Sequence, residues 1–444
     1  MRLLIALSAI PYSSGEAIDV VSYEVVKYLA SSKHEIFVQA IIREGKTVVQ
    51  EKREAALRQT LIEFTNVKIL PSIYIGDYYT APSRLENLVG YAMALLRGLP
   101  LLRRVINPFF FPALAVKNVF HKSVKATSPD IIVNIWSWEA LALFFDIEDI
   151  PKYVYYGNPN HKPLESQLDA ADLFGMYSNS LFGKFKIKLY RHINRSREVQ
   201  HLKMMERCEM TTNNSLVDAA YYTENGHPNS SYLQNMWPPA TTSPVRTLAP
   251  TSGKTVRLAA SVGHLAATGN TFGLHYLGQH LIPALRQVTT LPFIMDIYGE
   301  GSVRPEVAKV LKHDEIRLRG WVDDIDQELV NSDAFLILTN AEGFIVGNTR
   351  LLLAWSLGVC VIAHTNSMLA MPEVKHMENT LLGETAEEIA DLIKLVSRDP
   401  ELARKIGRGG LDTFEKYYTV DTVMPRMLDQ IESCVLGNKS LRGL

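Results

Sequence analysis

The sequence has 444 residues, of which 47% are hydrophobic and 21% are charged, and its formal net charge at pH 7 is −1. This length predicts more than one domain, and this composition is that of a folded protein rather than a disordered one. The near-neutral charge excludes a global attraction to nucleic acid, so any basic surface must be local. The three cysteines, Cys208, Cys360 and Cys434, are too widely spaced for a disulfide framework or a metal knuckle, which favours a reducing compartment.

The first part of the chain alternates predicted strands with a predicted helix. Continuous apolar residues predict strands at 2–10 and 36–42, and helical spacing of apolar residues predicts a helix at 17–30. The first apolar run is short, lacks a small-residue cleavage site and leads to Gly15, so we interpret it as a strand rather than a signal peptide. Because this order is typical of parallel sheets covered by helices, we predict a doubly wound α/β domain over residues 1–237.

Two segments rich in Lys and Arg interrupt this pattern. Residues 84–125 are apolar and basic, with Glu86 as their only acid, and residues 184–207 form a second basic run. Apolar side chains interspersed with lysines are typical of an element at a membrane surface, so we predict that 84–125 contacts lipid. The alternative is a buried helical hairpin that caps the first domain. The second run is either part of the same surface or a solvated helix face.

A stretch rich in Pro, Ser and Thr at 238–254 predicts a linker between two domains. After it, strands predicted at 256–260 and 334–338 alternate with helical patterns, which indicates a second doubly wound domain over residues 255–414. We expect residues 415–444 to form a helix that packs back on the first domain. No stretch of the sequence approaches the roughly 20 apolar residues that cross a bilayer as a helix.

Short motifs follow the predicted strands of the second domain in a fixed order. They read Gly263-His264, Gly299-x-Gly301, Gly320-Trp321-Val322, Glu342-Gly343-Phe344, Gly358 and Pro372-Glu373. This ordered set resembles the nucleotide-sugar-binding half of the group 1, retaining GT-B glycosyltransferases, and the resemblance covers residues 256–420. It implies a GT-B architecture, in which two Rossmann-like parallel-sheet domains face each other across a cleft. It also implies transfer of a sugar from a nucleotide diphosphate sugar to a glycan or lipid-linked glycan hydroxyl, with retention, without metal and without a further cofactor.

The turn and helix after the strand at 334–338 are the expected donor site. Helix N-termini present free N–H groups that favour anions. We therefore expect contacts to the donor diphosphate from Gly343, Phe344, Ile345, Val346, Asn348 and Thr349. By the resemblance, the remaining donor contacts come from Gly263, His264, Gly299, Gly301, Trp321 and Val322. The alternatives are a tight turn at 299–301 and a core tryptophan at a strand end.

Arg350 departs from the family pattern. The family's E-x7-E motif has a second Glu eight positions after Glu342, and this chain has Arg350 there. His264 and Phe272 stand where the family's G-R…K-G cations are expected. We hypothesise that Arg350 binds the diphosphate with its planar set of N–H donors and that Glu342 positions the sugar hydroxyls. The alternatives are a solvated or salt-bridged helix residue for Arg350 and a helix cap for Glu342.

The first domain offers candidate acceptor contacts where its predicted strands end. Trp136 and Trp138 follow one strand and suit the apolar face of a sugar ring, or they pack in the core. Asn158 and His161 lie in the loop after the next strand, and His161 is the candidate general acid or base. By the resemblance, the backbone at Gly15 approaches the donor phosphate or the acceptor, whereas the alternative is a plain turn glycine.

Two other functions fit the same fold. A nucleotide-sugar epimerase would convert the donor without an acceptor, and a non-catalytic sugar-binding or partner subunit would account for the missing family cations. We expect no metal site, because no His/Cys cluster has ligand spacing, and no nucleic acid partner. We expect a cytoplasmic protein that lies at the inner face of the membrane if 84–125 contacts lipid.

Overall fold

The computed structural model describes residues 1–78, 114–176, 180–240, 255–288, 292–341 and 343–441, together with Ala92 and Leu96. Two parallel sheets organise these residues. The predicted linker at 238–254 and most of the predicted membrane element at 84–125 lie outside the described residues.

The N-terminal sheet has the strand order β3-β2-β1-β5-β6-β7-β8, with β4 paired to β2. Its strands are β1 Arg2–Leu7, β2 Glu35–Ile42, β3 Val67–Ile69, β4 Ile73–Tyr74, β5 Ile131–Ile135, β6 Lys152–Tyr156, β7 Met210–Asn213 and β8 Ser230–Tyr232. Its helices are α1 Ala17–Ala30, α2 Val48–Thr60, α3 Leu114–Thr127, α4 Trp138–Phe144, α5 Lys162–Asp169, α6 Leu181–Met205 and α7 Leu216–Glu224, with a 3-10 turn at Ile75–Tyr78.

The C-terminal sheet has the order β11-β10-β9-β12-β13-β14. Its strands are β9 Val256–Ala260, β10 Phe293–Tyr298, β11 Ile316–Gly320, β12 Ala334–Ile337, β13 Val361–His364 and β14 Leu381–Gly383. Its helices are α8 Thr268–Tyr276, α9 Ile282–Val288, α10 Pro305–Val310, α11 Ile325–Val330, α12 Thr349–Ser356, α13 Ser367–Ala370, α14 Ala386–Arg398 and α15 Pro400–Tyr417. A π-helical turn, Leu277–Leu281, joins α8 to α9, and α16 Val420–Leu441 follows α15.

All strand pairs in both sheets are parallel, and the central strands are buried on both faces. Continuous apolar runs such as Leu3–Leu7 are therefore required, because helices cover both sides of the sheet. The strand order reverses between β1 and β5 and again between β9 and β12. In doubly wound sheets the crevice at such a reversal is where ligands bind. The predicted α/β architecture of two doubly wound sheets is confirmed.

Helix α16 returns from the C-terminal domain to the N-terminal core. Its residues Val423, Met427 and Ile431 are fully buried in one cluster with Leu3 and Val25. The chain crosses between the domains beside its earlier crossing, since the Trp237 N–H donates to the Tyr418 carbonyl at 3.0 Å. The C-terminal domain thus ends at the turn before α16, a few residues beyond the predicted boundary at 414.

The described part of the predicted membrane element belongs to the protein core. On α3, Val116, Phe120 and Val124 are buried beside Phe37 and Ile41, so the lipid-facing prediction is wrong for residues 116–124. The alternative of a helix capping the first domain fits this part, because its apolar stripe is covered by strands β1 and β2. Among the described residues, no helix has the length and apolar character needed to cross a bilayer.

Candidate active site

The loops after β9, β10 and β11 are built on close backbone contacts between glycines. A Cβ on Gly299 would overlap the carbonyl oxygen of Gly263, and Gly299 has a positive φ of 138°. The Gly299 N–H donates to the Gly320 carbonyl at 2.9 Å. Only glycine allows this approach in this conformation. The G-x-G signal therefore reflects the joining of three loops at the carboxyl edge of the sheet, and its role as a donor contact stays a prediction.

Two predicted donor contacts on these loops are open to solvent. The His264 side chain is exposed beside Gly301, where a Cβ would lie 2.9 Å from His264 Nε2. The Trp321 side chain is 68% exposed at the end of β11, so the alternative of a core tryptophan is wrong. Val322 instead packs on the apolar cluster of this domain. Gly263 has a φ of 95° with open space around its Cβ position.

Ser261 is a strained residue where β9 ends. Its φ is 62°, a left-handed value that a serine rarely adopts. Its hydroxyl is buried and has no hydrogen-bond partner among the described residues. Ser261 lines a small cavity with Asn270 and Arg350 at the reversal between β9 and β12. Strained backbone of this kind concentrates at functional sites. No sequence pattern indicated it at Ser261.

The loop between β12 and α12 is held by asparagine side chains. Asn340 Nδ2 donates to the Val346 carbonyl at 3.2 Å, and the Val346 N–H donates to Asn340 Oδ1 at 3.3 Å. The Val346 N–H is therefore engaged within the loop in this conformation, and its role as a diphosphate contact stays a prediction. Helix α12 begins at Thr349, later than the predicted start directly after Phe344. Gly343 is exposed with a φ of 74°, and Ile345 is half-buried.

Asn348 starts helix α12 and orients it. Its Oδ1 accepts from the Arg350 N–H at 3.1 Å, and its Nδ2 donates to Thr339 Oγ1 at 3.0 Å. This is the N-cap arrangement that asparagine favours. The side-chain groups of Asn348, predicted as donor contacts, are thus engaged within the protein, and the residue positions Arg350 and the helix start. Glu342, the predicted contact to sugar hydroxyls, lies outside the described residues, and its role stays a prediction.

Arg350 reaches a cavity of approximately 250 Å³ between the domains. The cavity is also lined by Thr268, Phe344 and Thr349, and by Pro163 from the N-terminal domain. No carboxylate of the described residues forms an ion pair with Arg350, and burial lowers the pKa of its guanidinium to about 10. It is still protonated at pH 7, so a half-buried cation lines the cavity. A partly desolvated charge is stabilised by a partner of opposite sign, and an anionic ligand in the cavity would be one.

Lys162 connects the two sides of the cleft and was not predicted from the sequence. From the start of α5 its Nζ donates to Asp218 Oδ1 at 2.5 Å and to the carbonyl of Ile345 in the facing loop. Burial raises the pKa of the Asp218 carboxyl, and Lys162 opposes that shift. The signal that existed was its position beside Pro163 at a predicted strand-end loop.

His161 is buried below this contact. Its Nε2 lies 3.6 Å from Glu198 Oε1 and 3.7 Å from Glu165 Oε2, and its ring packs against Tyr221. Burial lowers its pKa, while the two carboxylates oppose the shift. The imidazole is therefore held inside the N-terminal domain by carboxylates, and its role as acid or base stays a prediction.

The predicted acceptor residues lie at the carboxyl edge of the N-terminal sheet. Trp136 has a φ of 51°, which is strained for a bulky residue, and its ring stacks on Tyr155 at 5.8 Å. Trp138 starts α4 and stacks on His201 at 6.0 Å. Gly15 has a φ of 118°, and Asn158 is half-buried. Both tryptophans are half-buried and pack on apolar clusters of the N-terminal domain, and their role as acceptor contacts stays a prediction.

A second, larger cavity of approximately 600 Å³ opens between the domains beside Gly343. Its apolar floor includes Leu173 and Phe272. Its lining also includes the acidic residues Asp169, Asp172 and Glu306. Apolar side chains together with carboxylates that accept hydrogen bonds suit a polyhydroxylated ligand. Among the described residues, no group of three or more His, Cys, Asp or Glu side chains has metal-binding geometry.

Residues 257–399 match the family model described as "Glycosyl transferases group 1". These residues, most of the C-terminal domain, therefore resemble a group 1 glycosyltransferase domain. The match covers the loops and helix that surround Arg350, so the predicted resemblance is confirmed over residues 257–399, and retention stays a prediction. No curated protein sequence matches the chain significantly.

Solved structures of glycosyltransferases share the fold of this chain over nearly its whole length. Anabaena HepE in complex with UDP and glucose is 13% identical with a TM-score of 0.58, over 98% of this chain and 100% of HepE. A mutant of S. aureus TarM, in complex with fondaparinux, alpha-GlcNAc-glycerol and UDP, is 10% identical with a TM-score of 0.59, over 97% and 99%. The lipopolysaccharide outer core galactosyltransferase WaaB is 16% identical with a TM-score of 0.54, over 97% and 99%.

Proposed function

We propose that this glycosyltransferase moves a sugar from a nucleotide diphosphate sugar to a hydroxyl of a glycan or lipid-linked glycan, with retention and without a metal. The observation that carries the proposal is Arg350, a half-buried cation that lines a cavity between the domains and has no carboxylate partner among the described residues. A diphosphate is a bidentate anion that fits such a group.

Each part of the cleft has a proposed role in the transfer. The acceptor oxygen forms a bond to the anomeric carbon on the same face of the sugar from which the diphosphate oxygen leaves, as that carbon–oxygen bond breaks, so the configuration is retained. The diphosphate takes the electron pair, and Arg350 stabilises the charge that develops on it. The acceptor proton passes to a base, for which His161 is the candidate. Glu342 positions the sugar hydroxyls, and contact between the domains excludes water.

The proteins of similar fold support the class of substrates. HepE binds UDP with glucose, TarM binds UDP with glycan ligands, and WaaB is described as a galactosyltransferase of lipopolysaccharide. We infer from these likenesses a role in polysaccharide or glycolipid assembly at the cytoplasmic face of a membrane. The exposed indole of Trp321 at the end of β11 supports a nucleotide base as part of the donor.

The proposal is tested on Arg350. Thermal stabilisation by UDP, GDP, ADP and their sugars identifies the nucleotide, because a ligand of the folded state raises the melting temperature. Titration calorimetry with that nucleotide on Arg350→Gln is then expected to show a loss of about 1.5–3 kcal/mol, the value of hydrogen bonds to a charged group. Arg404→Gln is the matched control, since Arg404 is exposed and pairs with Glu401 on the surface of α15.

Two results would contradict the proposal. If none of the nucleotides binds at millimolar concentration, the donor class is wrong. If Arg350→Glu, which restores the family residue, binds the nucleotide more tightly than the wild type, Arg350 does not bind the diphosphate. Incubating the donor without acceptor separates transfer from epimerisation, because only an epimerase yields an isomer of the donor.

A further inference from the structure

The N-terminal half of α6 exposes three large apolar side chains. Leu181, Phe182 and Phe185 are 88%, 76% and 63% exposed. At about 100° per residue they fall within one arc of roughly 100° on the helix surface. This is a continuous apolar stripe on the outside of the N-terminal domain, where single apolar residues are ordinary but a stripe indicates an interaction site.

Lysines flank this stripe on both sides. Lys184 and Lys188 project on one side of it and Lys186 on the other, by the same helical spacing, and all three are exposed. Between residues 181 and 197 the helix has six cations and no acid. Apolar side chains between flanking lysines are typical of helices that lie at an anionic lipid surface.

The exposed N-terminal half of α6 is a regular, capped part of the helix. The Gly183 N–H donates to Ser180 Oγ at 3.1 Å, which caps the helix start. The following half anchors α6 in the domain, since Ile193, His201, Met204 and Met205 are buried. The stripe is therefore held on a rigid 25-residue helix, and its presentation to solvent needs no rearrangement.

The helix that carries the stripe passes beside the larger cleft cavity. Arg191, which follows the lysines on α6, pairs with Asp169 at 2.9 Å, and Asp169 lines the cavity of approximately 600 Å³. Phe185 precedes Arg191 by fewer than two helical turns, about 9 Å along the helix axis. A lipid surface in contact with the stripe would therefore bring an anchored acceptor near the opening between the domains.

We propose that the N-terminal half of α6 docks this protein on an anionic lipid surface, with Leu181, Phe182 and Phe185 inserted and Lys184, Lys186 and Lys188 at the headgroups. The net excess of cations favours a lipid surface over a second copy of this chain, which would bring like charges together. The docking is inferred from the features of α6 alone. Only its purpose, access to a lipid-linked acceptor, rests on the proposed function.

Vesicle sedimentation tests the docking directly. Phosphatidylcholine vesicles with and without 30% phosphatidylglycerol are incubated with the protein at 50 and 500 mM salt, and bound protein is quantified. Preferential binding to anionic vesicles is expected at low salt, with at least a five-fold loss at high salt, because headgroup attraction is screened. Failure of the wild type to bind anionic vesicles at low salt would overturn the proposal.

Three variants assign the binding to the stripe. The triple change Leu181→Ser, Phe182→Ser and Phe185→Ser is expected to lower binding at least ten-fold, and Lys184→Gln, Lys186→Gln and Lys188→Gln to remove the preference for anionic vesicles. The control is Val48→Ser with Val49→Ser, since these valines are 66% and 62% exposed on α2 and should not affect binding. Unchanged binding by the serine triple, or a concentration-dependent dimer that this triple abolishes, would mean that the stripe serves another partner.

The same variants separate the docking from the proposed function. Thermal stabilisation by the nucleotide should be equal in the wild type and both triples, because neither the stripe nor its lysines line the cavity that Arg350 lines. Loss of vesicle binding with retained nucleotide stabilisation supports the docking role. Vesicle binding by a wild type that no nucleotide stabilises would overturn the proposed function and leave the docking supported.

Discussion

Trp321 is an indole in an unusual place for so large an apolar side chain. It stands 68% exposed on the loop after β11, and Gly320 before it has a positive φ of 69°. An exposed aromatic face at the carboxyl edge of the C-terminal sheet is available to stack on the base of the proposed nucleotide donor. Its exposure also means that it contributes little to the core.

Trp321→Ala is therefore expected to separate binding from stability. The loss of stacking should weaken nucleotide binding by about 1–3 kcal/mol, while the free energy of unfolding stays within about 0.5 kcal/mol of the wild type, as for exposed positions. Calorimetry and urea denaturation on the same preparation measure both. Unchanged nucleotide affinity would show that the base lies elsewhere.

His201 is a buried histidine that stays neutral in the folded protein. Its Nε2 lies 2.6 Å from the Tyr222 hydroxyl, and burial, with a smaller effect of His161, lowers its pKa to about 3. In the unfolded chain its pKa is near 6.5. Between these two values the unfolded state binds a proton that the folded state lacks, so stability falls as pH falls below 6.5.

His201→Gln should remove this part of the pH dependence. Between pH 6.5 and 5.5 the wild type is expected to lose about 1 kcal/mol more of its unfolding free energy than the variant does. Other histidines and buried carboxyls titrate alike in both proteins and cancel in the difference. Urea denaturation at the two pH values measures it, and equal losses in both proteins would show that His201 is protonated in the folded state.

Glu373 joins several elements near the crossing between domains. Its carboxylate accepts from the Tyr232 hydroxyl at 2.9 Å, from Gln234 Nε2 at 2.6 Å and from the Tyr418 hydroxyl at 2.6 Å. Tyr418 is fully buried, and its burial and the nearby Tyr232 and Glu373 raise its pKa well above the usual value. The Pro372-Glu373 motif, which is part of the resemblance to the family, thus also anchors the C-terminal domain to the N-terminal one.

Glu373→Gln keeps the shape of this side chain and removes its charge. We expect a loss of about 1.5–3 kcal/mol in unfolding free energy, the value of hydrogen bonds to a charged group. Glu378→Gln is the control, because Glu378 pairs with Lys375 on the surface at 3.7 Å and such pairs contribute at most about 1 kcal/mol. Similar effects of the two changes would show that the Glu373 contacts are not a structural anchor.

Elements with a local pattern were predictable from the sequence, and elements defined by distant partners were not. The buried strands appeared as apolar runs, and α1 at Ala17–Ala30 was predicted with its bounds. On α3 the sequence showed an apolar stripe without showing what covers it. The start of α12 depends on the cap from Asn348 and on the hydrogen bonds from Asn340 that hold the preceding loop. The sequence pattern of a turn at 342–344 did not indicate these bonds.

The candidate active site was likewise predictable only where a local sequence pattern marked it. Arg350 stood out because it breaks a family pattern, and the structure places it at the cavity between the domains. Lys162 did not, because its partner Ile345 is 183 residues away in the sequence. The strain at Ser261 and Trp136 arises from how loops meet at a sheet edge, and no residue type signals it.

The two domains meet across the cleft at a backbone contact. A Cβ on Gly347 would lie 2.5 Å from the carbonyl oxygen of Asn214 in the N-terminal domain. The contact between Lys162 and Ile345 lies nearby in the same loop, and Gln167 Nε2 donates to Thr268 Oγ1 at 2.8 Å. The cleft is therefore narrow around Arg350, and small changes in side-chain size decide whether it closes.

Gly347→Ala is expected to hold the domains apart. The added methyl group meets a backbone atom that cannot rotate away, so the closed form becomes unfavourable and turnover should fall by about 100-fold, as for displaced catalytic groups. Small-angle scattering should show a larger radius of gyration with bound nucleotide than the wild type has.

Gly157→Ala is the matched control for this change. Gly157 lies at the same edge of the N-terminal sheet, and nothing lies within 4 Å of its Cβ position. Its turnover and radius should equal those of the wild type. An unchanged radius and turnover in Gly347→Ala would show that the two domains do not need this contact to close.

The return of α16 to the N-terminal core affects how the protein folds during synthesis. Val423, Met424, Met427 and Ile431 fill the core around β1 and β5, yet the ribosome makes them after the whole C-terminal domain. The C-terminal domain, which is continuous in sequence, can complete its core first, whereas the N-terminal domain waits with an apolar groove open. A chain that folds as it is synthesised would therefore complete its N-terminal core last, the reverse of the usual order in which the N-terminal domain folds first.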